Sequence, residues 1–181
     1  MTDTTPRDVL DFWFEAGPKK WFAKSDAFDA EIEEKFRHTH EIARGGGRDD
    51  WAQTPEGMLA LIILLDQFPR NMYRGTPDMF AADAKALTLN KEAVARGVDG
   101  EVPEAARQFI YMPLMHSERI DDQEKCVELF VAAGLKANIA FAEDHRDIVV
   151  RFGRFPHRNQ VLERTSSDEE LAFLSEGGFA G

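Results

Sequence analysis

The sequence predicts an all-α fold, and three observations predict it. Apolar residues recur at helical spacing through most of the 181 residues. Hardly any segment alternates apolar and polar residues with the period of two that a half-buried strand requires. Start signals, in which Ser or Thr precedes Pro or acidic residues, stand before the apolar segments. About seven or eight helices joined by short turns account for this pattern.

The central element is the segment from Glu56 to Gly75, EGMLALIILLDQFPRNMYRG. Met58 to Leu65 is apolar without interruption, so a helix here must be covered on nearly all sides. The run is too short to cross a bilayer, which takes about 20 apolar residues. A buried strand is the alternative, because so short a run does not separate the two by periodicity. Thr54 as N-cap and Pro55 at the first helical position favour a helix.

Two helices are predicted before the central segment. Thr5–Asp8 opens the first, whose aromatic residues we interpret as core packing. The second runs from Asp26 to about Arg44. His38 and His40 on it are two residues apart and point in different directions, so we interpret them as solvent-exposed and not as a metal pair. Gly45–Gly47 lacks the flanking sequence of a phosphate loop and is predicted to be a turn.

Four helices are predicted after the central segment. The first spans about 76–96. The second begins at Pro103 and contains Pro113, which kinks or divides it. The third, which is the longest, spans about 121–152. A short fourth helix precedes the glycine-rich tail, which is predicted to be disordered from about residue 177.

The length and composition limit the classes of protein to which this chain can belong. A chain of this length predicts one domain over residues 1–181. The net charge of −11 argues against a general nucleic-acid binder, whose affinity comes from neutralising phosphates. One cysteine, Cys126, excludes an internal disulfide and fits a reducing compartment. The N-terminus MTDTTPRDVL lacks the pattern of a secretory signal. We therefore expect a cytoplasmic protein without membrane association, and the oligomeric state is left open.

Three groups of polar residues are placed against apolar helices and form the candidate site. Cluster 1 consists of Asp66, Gln67, Arg70, Asn71, Tyr73 and Arg74. Cluster 2 consists of His116, Ser117 and Glu118. Cluster 3 consists of His145, Arg151, Arg154, His157, Arg158 and Asn159. Polar groups beside a core must satisfy their hydrogen bonds, so these residues are either structural or part of a site. We hypothesise that the three clusters converge on one pocket.

The arginines of these clusters favour an anion-binding pocket. A guanidinium matches carboxylate or phosphate with two parallel hydrogen bonds, and arginines concentrated in an acidic chain indicate a focused positive site. The expected ligand is a small anion, and no cofactor is predicted. The structural alternative is a buried ion-pair network in which Asp66 and Glu118 pair with Arg70, Arg151 or Arg154.

Metal-assisted hydrolysis is a further alternative. Its possible ligands are Asp66, His116, Glu118, His145 and His157. The residue types suit zinc or iron, but no His-Glu-x-x-His motif and no pair of histidines four residues apart is present. A nucleophilic Ser117 lacks the Gly-x-Ser-x-Gly turn, and we interpret Cys126 as a small core or boundary residue. Whether the protein is an enzyme is left open.

The motifs DQFPRNMYRG, YMPLMHSE and RFGRFPHRN, with the aromatic start FWFEAGPKKWF, resemble a bacterial family catalogued as domain of unknown function 924 (DUF924). Their order and spacing cover nearly the whole chain. The resemblance implies a right-handed superhelix of antiparallel helices, similar to tetratricopeptide-repeat (TPR) proteins. Such superhelices present concave grooves, so a module that binds an acidic peptide or a protein is an alternative function. The family implies no established activity.

Overall fold

The computed structural model describes residues 4–179, and all the regular structure in that range is helical. The α-helices are α1 Pro6–Ala16, α2 Pro18–Trp21, α3 Asp26–Arg44, α4 Pro55–Asp66, α5 Phe68–Met72, α6 Asp83–Ala95, α7 Val98–Glu101, α8 Glu104–Met115, α9 Ile120–Ala132, α10 Lys136–Phe152 and α11 Asp168–Ser175. Three 3-10 helices are Asp49–Gln53, Pro77–Phe80 and Pro156–Arg158. The prediction of an all-α chain is confirmed, and the predicted count of seven or eight omits the shortest helices.

Four of these helices begin at a side-chain cap. In each, a hydroxyl oxygen accepts a hydrogen bond from the backbone N–H three residues later, which satisfies one of the N–H groups that a helix start leaves without a partner. The capping residues are Thr5, Ser25, Thr54 and Ser167. The starts of α3 and α4 therefore lie where the local sequence predicts them.

The predicted long helix over 121–152 is two helices in the structure, which is a correction. α9 ends at Ala132 and α10 begins at Lys136. Gly134 between them has a φ of +69°, a left-handed conformation that glycine adopts without strain. The apolar stripe continues through both helices, so periodicity alone does not reveal the break. Pro113 does not divide α8, which continues through it to Met115.

The described residues fall into two compact units. Within residues 4–179, the first comprises residues 4–74 and 78–113, and the second comprises residues 75–77 and 114–179. Two compact units do not show whether the units fold separately, so the single domain over 1–181 stays a prediction. The disordered tail from about residue 177 also stays a prediction, and its residues 180–181 lie outside the described range. None of the helices within residues 4–179 has the length and apolarity needed to cross a bilayer.

Helix α4 forms the core of the first unit. Every residue from Gly57 to Asp66 is buried. Helices α1, α3, α5, α6 and α7 and the 3-10 helix Asp49–Gln53 pack around it. The predicted aromatic core packing is confirmed for Trp13, which is fully buried and lies 6.0 Å from Trp21 and 5.6 Å from Phe68 between ring centroids. Phe12 and Phe14 of the same helix are half-buried. The neighbouring helices thus pack over each face of a helix that has no polar face for water.

The second unit has its own apolar contacts. Helix α9 packs against α10, and α11 packs against the 3-10 helix Pro156–Arg158. Ile148, Val149 and Phe155 are buried together, and Phe152 and Phe173 pack against them.

We predict that Gly57→Ala lowers the free energy of unfolding by about 1–3 kcal/mol, the usual cost of overpacking. A Cβ atom on Gly57 would lie 2.0 Å from the carbonyl oxygen of Trp51 and 2.9 Å from the hydroxyl oxygen of Thr54. Urea unfolding followed by circular dichroism measures the change. Gly100→Ala in α7 is the control, because its Cβ would meet no atom within 4 Å. Equal stability of the two variants would contradict the prediction.

Candidate functional site

Arg70 of cluster 1 joins three parts of the first unit. Its Nη1 donates to the carbonyl oxygen of Asp66 at 2.5 Å, and its two terminal nitrogens donate to the carboxylate of Asp83 at 2.9 and 3.0 Å. Nη1 also lies 3.6 Å from the carboxylate of Asp66, which is fully buried. The backbone N–H of Arg70 donates to Gln67 at 3.1 Å, so the guanidinium of Arg70 supplies the donor to the Asp66 carbonyl oxygen at the end of α4. Arg70 is therefore a structural ion-pair residue.

Three other members of cluster 1 are held by neighbouring carboxylates. Gln67 Nε2 donates to Asp66 Oδ2 at 2.7 Å. Asn71 Nδ2 donates to Asp29 Oδ1 at 2.7 Å, and Arg74 Nε donates to Asp29 Oδ2 at 2.8 Å. Asp29 belongs to α3, so these bonds tie α5 to α3. Sequence analysis did not identify Asp29 or Asp83, because nothing local distinguishes them from other acidic residues in a first helical turn.

Clusters 2 and 3 meet within the second unit. Glu118 accepts two hydrogen bonds from Arg164, at 2.8 and 2.9 Å, and one from the backbone N–H of Phe155 at 2.8 Å. Burial opposes ionisation of Glu118, yet these donors hold its pKa below the ordinary value. Arg158 Nη2 donates to the carbonyl oxygen of His116 at 3.0 Å. The sequence predicts Arg70, Arg151 or Arg154 as the ion-pair partner of Glu118. This prediction is wrong, because the partner in the structure is Arg164.

Arg154 and Arg151 have other partners, which explains that correction. Arg154 donates twice to Glu170, at 2.6 and 2.7 Å, and this hydrogen bonding lowers the pKa of Glu170 to about 2. Arg151 Nε donates to Glu169 at 2.9 Å. Both carboxylates belong to α11, so the two arginines attach α11 to the end of α10 and the residues after it.

The remaining members of clusters 2 and 3 make local contacts. Ser117 Oγ donates to Asp122 at 2.7 Å, and Asn159 Nδ2 donates to Ser166 Oγ at 3.0 Å. Within residues 4–179, no three His, Cys, Asp or Glu side chains are grouped so as to hold a metal ion. The geometry therefore provides no ligand set there for the metal-assisted alternative.

The two histidines of cluster 3 lie against one aromatic ring. The ring centroid of Phe179 is 4.6 Å from that of His145 and 5.1 Å from that of His157. His145 Nδ1 donates to the carbonyl oxygen of Phe141 at 2.7 Å, since a carbonyl can only accept. Cluster 1 belongs to the first unit and clusters 2 and 3 to the second, so the convergence of all three stays a prediction.

A cleft of about 440 Å³ lies within the first unit, and we name it the Tyr73 cleft. It is lined by Arg37, Glu41, Arg44, Gly45, Tyr73 and Asp78. Among the residues of cluster 1, Tyr73 lines it. Arg37, Glu41 and Arg44 are four and three residues apart on α3, so they share one face of that helix.

The two arginines of the Tyr73 cleft are only loosely held. Arg37 donates to Glu33 at 2.8 Å and to Glu41 at 3.2 Å, and Arg44 lies 3.7 Å from Asp78. The side chains of Arg37 and Arg44 are 54% and 48% exposed. Ion pairs this exposed contribute little, because water and salt screen them.

A second cleft of about 300 Å³ in the same unit holds its cations more firmly. Lys85 donates to the carbonyl oxygen of Ala43 at 2.8 Å, and Arg96 donates to the carbonyl oxygen of Ala52 at 2.8 Å. These side chains connect α6 to preceding backbone. The Tyr73 cleft is therefore the better candidate for binding a ligand.

His40 lies beside the Tyr73 cleft and is 1% exposed, so the prediction that it is solvent-exposed is wrong. Its Nδ1 donates to the carbonyl oxygen of Leu64 at 3.0 Å, in the last turn of α4. Its ring centroid is 5.7 Å from that of Tyr73. A sequence signal existed, because His40 follows Phe36 by four residues and falls on the buried stripe of α3. His38 is exposed, as predicted.

Burial sets the protonation of both rings. It lowers the pKa of His40, so the imidazole is neutral at neutral pH, with Nδ1 protonated and Nε2 unprotonated. It raises the pKa of the Tyr73 hydroxyl, which therefore stays protonated and able to donate. The charges of Arg44, Glu41 and Asp78 act on His40, and all three line the cleft.

We predict that Arg70→Met lowers the free energy of unfolding by about 3–5 kcal/mol, because it leaves the buried Asp66 carboxylate without its cation. Adding Asp66→Asn should restore part of the loss by removing the stranded charge. Chemical unfolding measures both, and Arg7→Met, at an exposed pair with Asp11, is the control and should change stability little. A loss no larger than that of the control would contradict the structural role of Arg70.

We predict that His40 reduces stability as the pH falls. Unfolded His40 takes up a proton near pH 6.5, whereas the folded ring, with its lowered pKa, does not, so the unfolded state binds more protons there. The free energy of unfolding should therefore fall from pH 7 to pH 5 more steeply in the wild type than in His40→Asn. Denaturant titrations at each pH give the difference between the two proteins, which isolates His40 from the other histidines. Parallel pH profiles would contradict the assignment.

Two comparisons relate this chain to other proteins. The solved structure of a protein of unknown function from Agrobacterium tumefaciens is similar to it, with 46% sequence identity and a TM-score of 0.92 over 95% of this chain and 97% of that chain. None of the curated proteins matches. The model of a bacterial protein family of unknown function, DUF924, matches residues 9–178. A match over nearly the whole chain shows the family, and this protein belongs to DUF924.

Proposed function

We propose that the protein binds a small anionic ligand in the Tyr73 cleft, through the guanidinium groups of Arg37 and Arg44. The observation that carries the proposal is the presence of two half-exposed arginines on one face of α3, lining one cleft in a chain of net charge −11. Guanidinium forks match carboxylate and phosphate groups, which are the anions expected here.

The present partners of these arginines support the proposal. Asp78 is 62% exposed and lies 3.7 Å from Arg44, and Glu41 is 54% exposed beside Arg37. Carboxylates so exposed return to water at little cost, so a ligand anion exchanges with them easily. Arg70 and Arg154 differ, since their carboxylate partners include the buried Asp66 and Glu170, and releasing a buried carboxylate is costly. Arg151 pairs with the exposed Glu169, but it does not line the Tyr73 cleft.

Tyr73 supplies a third contact. Its hydroxyl is neutral, so it donates a hydrogen bond to an anion without adding charge. The ligand then meets two cations and one neutral donor, beside the exposed carboxylates of Glu41 and Asp78 that also line the cleft. Tyr73 is thus the residue of the predicted pocket that the proposed site includes. The wider pocket formed by all three clusters stays a prediction.

The other predicted functions remain alternatives. A TPR-like superhelix that binds acidic peptides is compatible with the all-α fold and the packing of α9 on α10. A small metabolite as ligand is compatible with the predicted cytoplasmic location. The size of the cleft, about 440 Å³, favours a small molecule over an extended peptide.

Isothermal titration calorimetry with phosphate, sulfate, propionate and lactate at low salt tests the proposal. We expect at least one of these anions to bind, with affinity that falls as ionic strength rises. Arg37→Gln and Arg44→Gln should each weaken that binding about 10-fold, as expected when one charged hydrogen bond of about 1.4 kcal/mol is lost.

Arg7→Gln is the matched control, because Arg7 is an exposed arginine of the same unit that does not line the cleft. It should bind like the wild type. Absence of binding by all four anions, or equal binding by the three variants, would overturn the proposal.

A further inference from the structure

We infer that the ligand of the Tyr73 cleft is a small amino carboxylate, a molecule that carries an ammonium group beside its carboxylate. The ammonium group binds Glu41 and Asp78, and the carboxylate is the anion that Arg37 and Arg44 bind. The inference therefore rests on the proposed function, and it adds the chemical class of the ligand and the two residues that select it.

The cleft is lined by charges of both signs. Arg37 and Arg44 are its cations, and Glu41 and Asp78 are its anions. A ligand that carries only negative charge is attracted by the first pair and repelled by the second, because like charges at short range oppose binding. A ligand with an ammonium group as well turns the two carboxylates from a source of repulsion into binding groups.

The four charged side chains act on one atom of the cleft, the hydroxyl oxygen of Tyr73. Burial raises the pKa of this hydroxyl, and the negative charges of Glu41 and Asp78 raise it further. The positive charges of Arg37 and Arg44 lower the same pKa. Charges of both signs are therefore close to the same part of the cleft.

The spacing of these side chains suits ligand groups on adjacent carbon atoms. Glu41 and Arg44 are three residues apart on α3, so they are neighbours on the helix surface, with about 5–6 Å between their Cβ atoms. Asp78 approaches the guanidinium of Arg44 to 3.7 Å. A carboxylate bound to Arg44 thus places an ammonium group on the next carbon atom near both anions of the cleft.

Both carboxylates are accessible to a ligand. The side chains of Glu41 and Asp78 are 54% and 62% exposed. Their partners are Arg37 at 3.2 Å and Arg44 at 3.7 Å, and ion pairs this exposed contribute little to stability. When the ligand exchanges with these partners, its carboxylate takes the arginines and its ammonium group takes the two carboxylates. No charge of the cleft is then left without an opposite charge.

Calorimetric titration of alanine, lactate and propionate into the wild type at neutral pH and low salt tests this inference. Alanine carries the ammonium group, lactate has an uncharged hydroxyl group in its place, and propionate has neither. We expect alanine to bind at least about 10-fold more tightly than either of the other two acids, which corresponds to about 1.4 kcal/mol.

Glu41→Gln and Asp78→Asn should change the affinities for alanine and propionate in opposite directions. Each variant should bind alanine more weakly, because a partner of the ammonium group is lost, and propionate more tightly, because a repelling charge is removed. The preference for alanine should thus fall below about 3-fold. Glu33→Gln is the matched control, since Glu33 also pairs with Arg37, at 2.8 Å, but does not line the cleft. It should keep the preference of the wild type.

The carboxylate ¹³C NMR signals of Glu41 and Asp78 in the wild type give a second readout that does not depend on the folding of a variant. They should move with alanine and move less with propionate. Equal binding of alanine and propionate, with equal signal changes, overturns the inference and leaves the proposed function standing.

Three other results also overturn the inference. Lactate that binds as tightly as alanine contradicts the need for a positive charge on the ligand. Loss of the preference in Glu33→Gln to the same extent as in Glu41→Gln contradicts direct contact between Glu41 and the ammonium group. Absence of binding by all three acids removes carboxylate binding by the cleft as well, whereas binding of phosphate or sulfate would still support the two arginines as an anion site.

Discussion

The burial of α4 on all sides is the constraint on which the first unit depends. A helix without a polar face cannot meet water, so the surrounding helices of the first unit must cover it. Its last carbonyl groups are buried too and need donors, while Pro69 offers none. His40 on α3 donates to Leu64, and Arg70 on α5 donates to Asp66. Side chains of these two helices thus supply the hydrogen-bond donors that the backbone does not.

That constraint explains why the conspicuous polar motif after α4 is mostly structural. Arg70 donates to Asp83 of α6, whereas Asn71 and Arg74 donate to Asp29 of α3. These hydrogen bonds join α5 and the residues after it to α6 and α3. An arginine that serves a buried carboxylate is not free to bind a ligand without a large cost. Arg37 and Arg44, on the outer face of α3, have exposed partners and remain exchangeable, in a stretch that no motif marks.

The second unit satisfies its charges in the same manner. Arg164 reaches back to Glu118, and Arg154 reaches forward to Glu170, so the irregular segment between α10 and α11 is attached at both ends. Both carboxylates are held ionised by their donors, with pKa values below the ordinary range. In this unit, Glu118 of cluster 2 and Arg154 of cluster 3 thus make ion pairs that hold this segment in place, and a site formed by these clusters stays a prediction.

The sequence by itself determined the all-α class and the starts of the capped helices α1, α3, α4 and α11, because a cap such as Ser25 or Thr54 acts on an N–H group three residues away. It also predicted the covered central helix, because the apolar run must be kept from water and the start signal of Thr54 and Pro55 favours a helix over a strand. It did not determine which side chains pair, since His40 and Leu64 are 24 residues apart and Glu118 and Arg164 are 46 apart. Only the tertiary structure decided these pairs, because a partner is selected by the packing of whole helices, which no local pattern specifies.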